Sequence, residues 1–197
     1  MVRIGLTGGP GSGKSTVAGI LERRNIAVVD LDCLSRTAVK PGQAAYKKIV
    51  DYFGKSAILE SGELDRVFLR TRLIKSREDK KNLEKFIHPE VFRLLEKEYK
   101  KYLKSGEKIF CVEAPLLFEK DMKALFDYII TVFIPYELQI ERLVKRDSVT
   151  EEGAEGLVNS QISLAEKAAR SDFIITNDKG FDELEKEVDK VLKKILK

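Results

Sequence analysis

The chain has 197 residues, 36 Lys plus Arg against 32 Asp plus Glu, a net charge of +4 and 43% hydrophobic residues. That is enough for one domain with its own core, and the basic balance is too mild to argue for nucleic acid over small anions. The longest apolar run, Tyr128–Pro135, is far short of the roughly 20 residues of a membrane helix, while two cysteines without CxxC spacing and a single histidine exclude a disulfide framework and a multi-His metal centre.

The first element expected is a strand, Arg3–Thr7, followed at once by a Gly-rich turn and by helical spacing over Lys14–Asn25. The turn, Gly8-Gly9-Pro10-Gly11-Ser12-Gly13-Lys14-Ser15, satisfies G-x-x-x-x-G-K-[ST]. Glycines let successive backbone N–H groups turn inward around phosphate oxygens, and the next helix aims its positive end at them. Lys14 reaches the β- and γ-phosphates, and the Ser15 hydroxyl suits Mg²⁺. Thr16 either helps hold the nucleotide or is an ordinary helix residue.

A second strand, Ala27–Asp30, ends in acid, and Asp30-Leu31-Asp32 stands where strand ends of a parallel sheet face a ligand crevice. Two acids spaced by two on a strand point to one side, so either could accept a proton from an attacking hydroxyl; Asp32 could instead cap a helix. Residues 31–108 then read as a helical insertion. Ala44–Phe53 and Asp65–Ile74 are amphipathic, and Glu90–Leu103 follows Pro89, a good first helical residue. Ile109–Glu113, Tyr128–Ile134 and Phe173–Thr176 complete five continuous apolar strands. Between the last two, Glu137–Arg170 is expected to be helical with a break near Thr150 and Gly153. The C-terminal segment spaces Phe181, Leu184, Val188, Val191, Leu192 and Ile195 as a helix packing on the sheet. The class is α/β with a five-stranded parallel sheet and a helical insertion, all in one domain. The core would comprise about 1–30, 109–136 and 172–197.

A nucleotide grip alone does not name an enzyme. The sequence also resembles the dephospho-CoA kinase family. The resemblance rests on Gly5-Leu6-Thr7-Gly8-Gly9 leading into Gly13-Lys14-Ser15-Thr16, on Val29-Asp30-Leu31-Asp32 with Arg36 and Pro41-Gly42, and on Gly62-Glu63-Leu64-Asp65-Arg66 with Leu69-Arg70. His88-Pro89, Pro115-Leu116-Leu117-Phe118-Glu119, Gln139, Arg142, Arg146, Gln161 and Asp172-Phe173-Ile174-Ile175-Thr176-Asn177 continue it in family order over nearly the whole chain. The resemblance implies an adenylate-kinase-like fold, with a three-layer P-loop NTPase core, a helical acceptor-binding insertion over about 31–108 and a helical lid over about 137–171 that Gly153 and Gly156 could hinge. It also implies transfer of the γ-phosphoryl of ATP to the ribose 3′-hydroxyl of dephospho-CoA, with Mg²⁺. The partners it implies are ATP and dephospho-CoA; the mild charge and short apolar runs lead us to expect neither nucleic acid nor membrane, and the two cysteines, Cys33 and Cys111, a reducing cytoplasm.

Carried over by position, Asp32 matches the proposed general base. Gly11, Ser12, Gly13, Lys14, Ser15 and Thr16 match the ATP grip. Arg142 and Arg146 match arginines near the ATP phosphates, Arg142 with a catalytic role, and Asn177 matches a position close to the adenine. Arg36, Arg66 and His88 match acceptor-side positions. The chain departs from the family pattern at Pro10, where an aliphatic residue is usual, and at Leu157, where many relatives have Arg; at Glu113 family members vary.

Two rival readings share the grip. A nucleoside monophosphate kinase would need arginines on an acceptor phosphate, whereas the Asp30–Asp32 pair favours a hydroxyl acceptor. A GTP-dependent switch would use D-x-x-G, which Asp51-Tyr52-Phe53-Gly54 matches only on an apparent helix, and N-K-x-D, which Asn177-Asp178-Lys179-Gly180 is not.

Overall fold

The computed structural model describes residues 1–196. Strands β1 (Val2–Gly8), β2 (Ala27–Asp30), β3 (Ile109–Glu113), β4 (Tyr128–Phe133) and β5 (Phe173–Thr176) form one parallel sheet in the order β2-β3-β1-β4-β5. The helices are α1 (Lys14–Arg23), α2 (Leu31–Ala38), α3 (Ala44–Phe53), α4 (Arg66–Lys75), α5 (Arg77–Lys104), α6 (Tyr136–Asp147), α7 (Glu151–Asn159), α8 (Leu164–Ala169) and α9 (Phe181–Ile195). No helix among the described residues is long and apolar enough to cross a membrane. The chain divides into two compact units: the second runs from Asp30 to Lys101, and the first takes the residues on either side.

In the first unit the central strands are apolar on both faces because both are covered. Ile4, Leu6, Ile109, Cys111, Ile130 and Val132 pack with Val17, Ile20 and Leu21 of α1 and with Leu184, Val188 and Leu192 of α9. Towards Leu117 and Phe126 the sheet needs a gap. A Cβ on Gly5 would lie 2.5 Å from Leu117 Cδ1 and 2.9 Å from Phe126 Cδ2, so the missing side chain lets both close on β1. Phe181, expected on the buried stripe of α9, is instead about half exposed, with the Arg23 guanidinium 5.2 Å from its ring centre. α1 stops short of Asn25, which takes φ 56° while the N–H groups of Arg24, Asn25 and Ile26 bond back to the last carbonyls of the helix.

The segment after β4 forms three helices with two breaks. Ser148, at φ 54°, ends α6, and Thr150 Oγ1 caps α7 by accepting from Gly153 N at 3.1 Å. Gly153 is therefore held inside the first turn of α7 and is not the break itself. A second break, absent from the helical spacing, falls before Ser163, whose hydroxyl caps α8 by accepting from Glu166 N at 3.1 Å.

The second unit is helical. Asp30 Oδ1 accepts from Asp32 N at 2.7 Å and Cys33 N at 3.3 Å, so the chain passes from β2 into α2 with no loop. The cap is thus Asp30, not Asp32. Asp32 stands in the first helical turn, so the alternation of a strand does not relate the two acids. Ile49, Ala57, Leu64 and Leu69 form the core, joined by Phe53, Leu83 and Ile87. Buried Asp79 accepts from Tyr52 Oη at 3.1 Å and Arg72 Nε at 3.0 Å. The expectation that Pro89 opens a helix is overturned: α5 starts at Arg77, with Ser76 Oγ accepting from Asp79 N, and Pro89 lies inside its 28 residues. An interior proline costs about 3 kcal/mol through its missing N–H. The apolar stripe through Leu83, Phe86 and Ile87 continues at buried Val91 and Leu95 and outweighs that loss.

Candidate functional site

In the first unit the site is the turn from β1 into α1. Gly11 and Gly13 have φ of 76° and 82°, conformations that L side chains rarely adopt. In the first turn of α1, Thr16 N and Val17 N donate back to Gly13 O at 3.0 and 3.2 Å. Ser12 is fully buried, and its Oγ is a buried polar atom without a hydrogen-bond partner. Because β1 and β3 are neighbours with Leu6 opposite Glu113, the acid at the end of β3 comes beside the start of α1. Lys14 Nζ donates to Glu113 Oε1, and Ser15 Oγ donates to the same oxygen at 3.0 Å. The Lys14 and Glu113 side chains are 12% and 9% exposed, so this ion pair is largely withdrawn from water. The neighbouring Cys111 thiol is pushed well above its ordinary range by burial, with the charge of Glu113 adding to the effect.

On α6 the two arginines divide. Arg142 is half-buried and lies next to the loop: its Nη2 donates to Asn177 O at 2.9 Å, and its Nη1 is 3.8 Å from where a Gly13 Cβ would be. Arg146 points elsewhere, gripping Asp147 with two hydrogen bonds of 2.7 Å and holding that carboxyl below the usual range. Asn177 turns its buried amide onto Ser12 O at 2.9 Å. Thr16 is exposed in the first turn of α1. Behind the loop, fully buried Lys167 donates to Pro115 O at 2.6 Å, to Gln161 Oε1 at 3.0 Å and to Glu119 Oε1 at 3.0 Å.

The second unit holds a pocket of about 570 Å³. Arg36, Lys40, Arg66 and Arg70 supply its basic lining, Glu63 its one carboxylate, and Ile49, Leu64, Leu69, Leu73 and Leu83 an apolar wall. Arg36 and Arg66, predicted on the acceptor side, are brought together here. Asp32 and His88 are not among the lining residues; both are exposed, on α2 and α5. Cys33 also lines the pocket. Asp51-Tyr52-Phe53-Gly54 lies at the C-terminal end of α3, so it does not follow a strand as a nucleotide-switch motif would.

Sequence reasoning gave no site role to Glu113, Gln139 or Lys167, although Gln139 is among the positions that carry the family resemblance. Glu113 was visible as the one acid closing the apolar run Ile109–Val112. Gln139 Nε2 donates to Pro10 O at 2.7 Å, yet nothing in helical spacing sets Gln139 apart. Lys167 looks like any solvated lysine until α8 packs against β4 and β1.

A family model described as dephospho-CoA kinase matches residues 2–183. The dephospho-CoA kinase of Bacillus licheniformis is 38% identical over 189 residues, covering 96% of this chain and 94% of that protein. A crystal structure of TT1252 from Thermus thermophilus superposes with a TM-score of 0.82 at 31% identity, covering 99% of this chain and 96% of the other. The dephospho-CoA kinase from Campylobacter jejuni does so with a TM-score of 0.72 at 27% identity, over 98% and 96%.

Proposed function

This chain belongs to the dephospho-CoA kinase family, and from that premise we propose how its residues carry out ATP-dependent phosphorylation of the ribose 3′-hydroxyl of dephospho-CoA to give coenzyme A and ADP. The observation that carries the nucleotide half is the meeting of Lys14 Nζ and Ser15 Oγ on one oxygen of Glu113 beside a glycine loop. Gly11, Ser12, Gly13 and the first turn of α1, Thr16 included, take the phosphates of ATP. Lys14 supplies positive charge to the transferring phosphoryl group, and Arg142, already next to the loop, adds to it. Arg146 joins by leaving Asp147. Residues 137–171 act as the lid that keeps water from the phosphoryl group.

The donor set beside the loop fits Mg²⁺. A hydroxyl and a carboxylate are hard oxygen ligands, and this ion is commonly held by one or two protein oxygens together with substrate phosphates. Ser15 and Glu113 are the residues we assign to it, and when bound the ion supplies charge neutralisation on the β- and γ-phosphates.

For the acceptor we propose the pocket of the helical insertion, residues 31–108. Its basic lining, Arg36 and Arg66 with Arg70, suits a diphosphate, and its apolar wall suits an aliphatic arm. His88 remains an acceptor-side residue by its family position alone. Asp32 is the general base by its family position, at the start of α2 directly after the Asp30 cap. The enzyme works in a cytoplasmic setting. Asp32→Asn tests the assignment. Turnover should fall by about 100-fold or more, with the Kd for ATP within about twofold of wild type; near-normal turnover would remove Asp32 from the role.

A further inference from the structure

The phosphate loop has a mechanical weakness. Gly11 and Gly13 give the turn its shape, but a residue without Cβ also lets the peptide plane on its N-terminal side rotate with little hindrance. The two planes concerned join Pro10 to Gly11 and Ser12 to Gly13. Each is trans, so its carbonyl and the N–H of the following glycine point in opposite directions. Whatever holds the carbonyl therefore aims the N–H.

Both carbonyls are held, each by one buried side-chain amide. Gln139 Nε2, on α6, donates to Pro10 O at 2.7 Å; Asn177 Nδ2, directly after β5, donates to Ser12 O at 2.9 Å. The two residues are 2% and 8% exposed. The glycines make room for them: a Cβ on Gly9 would lie 2.7 Å from Gln139 Nε2, and one on Gly13 would lie 2.1 Å from Asn177 Nδ2. Asn177 also accepts from Arg142 through its main-chain oxygen, and Arg142 is one helical turn beyond Gln139 on α6. Loop and arginine are thus fixed to the same two supports.

We propose that Gln139 and Asn177 are positioning residues, an amide clamp that pins two loop carbonyls and so keeps the N–H groups of Gly11 and Gly13 aimed at polyphosphate. The clamp rests on reading the loop as a phosphate cradle. It gives Asn177 a task that does not involve the adenine.

The test measures the Kd of ATP and of inorganic tripolyphosphate, each with Mg²⁺, for wild type, Asn177→Ala, Asn177→Asp and Gln139→Met. Asn177→Asp keeps the shape but sets an oxygen against Ser12 O, and Gln139→Met keeps the length without the donor. Either serves if Asn177→Ala fails to fold. The clamp predicts that each variant loses about tenfold for both ligands, by the same factor within about twofold. Loss for ATP with tripolyphosphate unchanged would overturn it in favour of an adenine contact. Unchanged affinities with a lowered thermal midpoint would overturn it in favour of plain packing. Wild-type protein that binds neither ligand would overturn the cradle reading itself, and the clamp with it. None of these measurements involves the acceptor, so they are independent of which alcohol is phosphorylated.

Discussion

Gly13 combines two demands that no other residue type meets. Its φ of 82° is costly for any L side chain, and its Cβ position is 2.1 Å from the Asn177 amide nitrogen. Gly13→Ala should lower stability by about 1–3 kcal/mol, read as a shift of the urea midpoint, and should abolish measurable ATP binding. Unchanged binding would mean that the loop tolerates rearrangement. Glu113 makes a different prediction. If it helps hold Mg²⁺, Glu113→Gln should raise the Mg²⁺ concentration for half-maximal rate by roughly tenfold or more and leave the KM for dephospho-CoA unchanged. An unshifted Mg²⁺ requirement would leave Glu113 as no more than the partner of Lys14.

At the scale of elements, the junction of β2 and α2 separates capping from chemistry. Asp30→Ala removes an acceptor from two N–H groups and should cost about 1 kcal/mol of stability. Asp32→Asn leaves the Asp30 cap intact and should cost less stability than Asp30→Ala while turnover collapses. Equal stability losses in the two variants would contradict this division. The central strands were legible because burial on both faces leaves a mostly apolar run, as in Tyr128–Phe133, whereas the edge strands β2 and β5 are only partly buried. The glycine loop was legible because phosphate binding constrains the residue types themselves. Less visible was whatever depends on a distant partner. The N-terminal half of α5 survives an internal Pro89 because its side chains pack with Ile49 and Leu69, which sequence spacing does not reveal. The break before α8 depends on a serine cap that resembles any other polar residue. The pocket collects Arg36, Arg66 and Arg70 from two helices, and only the resemblance marked the first two for the acceptor.

Across the first unit as a whole, Lys167 ties α8 to the segment after β3 through Pro115 and Glu119. Lys167→Met leaves Glu119 without its cation and should destabilise the protein by about 3–5 kcal/mol. Burial lowers the pKa of Lys167, Lys14 pushes the same way, and Glu119 opposes both. In the alkaline window between that lowered value and the ordinary one near 10.4, the unfolded chain binds more protons, so this group makes the unfolding free energy rise with pH. The stability advantage of wild type over Lys167→Met should therefore widen as the pH rises through the alkaline range towards the ordinary lysine value; a constant or shrinking gap would contradict the assigned burial. The central claim concerns the whole enzyme: a glycine cradle and Lys14 hand a phosphoryl group to the ribose alcohol of dephospho-CoA. The most direct measurement incubates the protein with Mg²⁺, ATP and either dephospho-CoA, AMP or dUMP, and identifies products by mass. The account predicts coenzyme A and ADP from dephospho-CoA and no phosphorylation of either monophosphate. Brisk phosphorylation of AMP or dUMP with dephospho-CoA returned unchanged would contradict it.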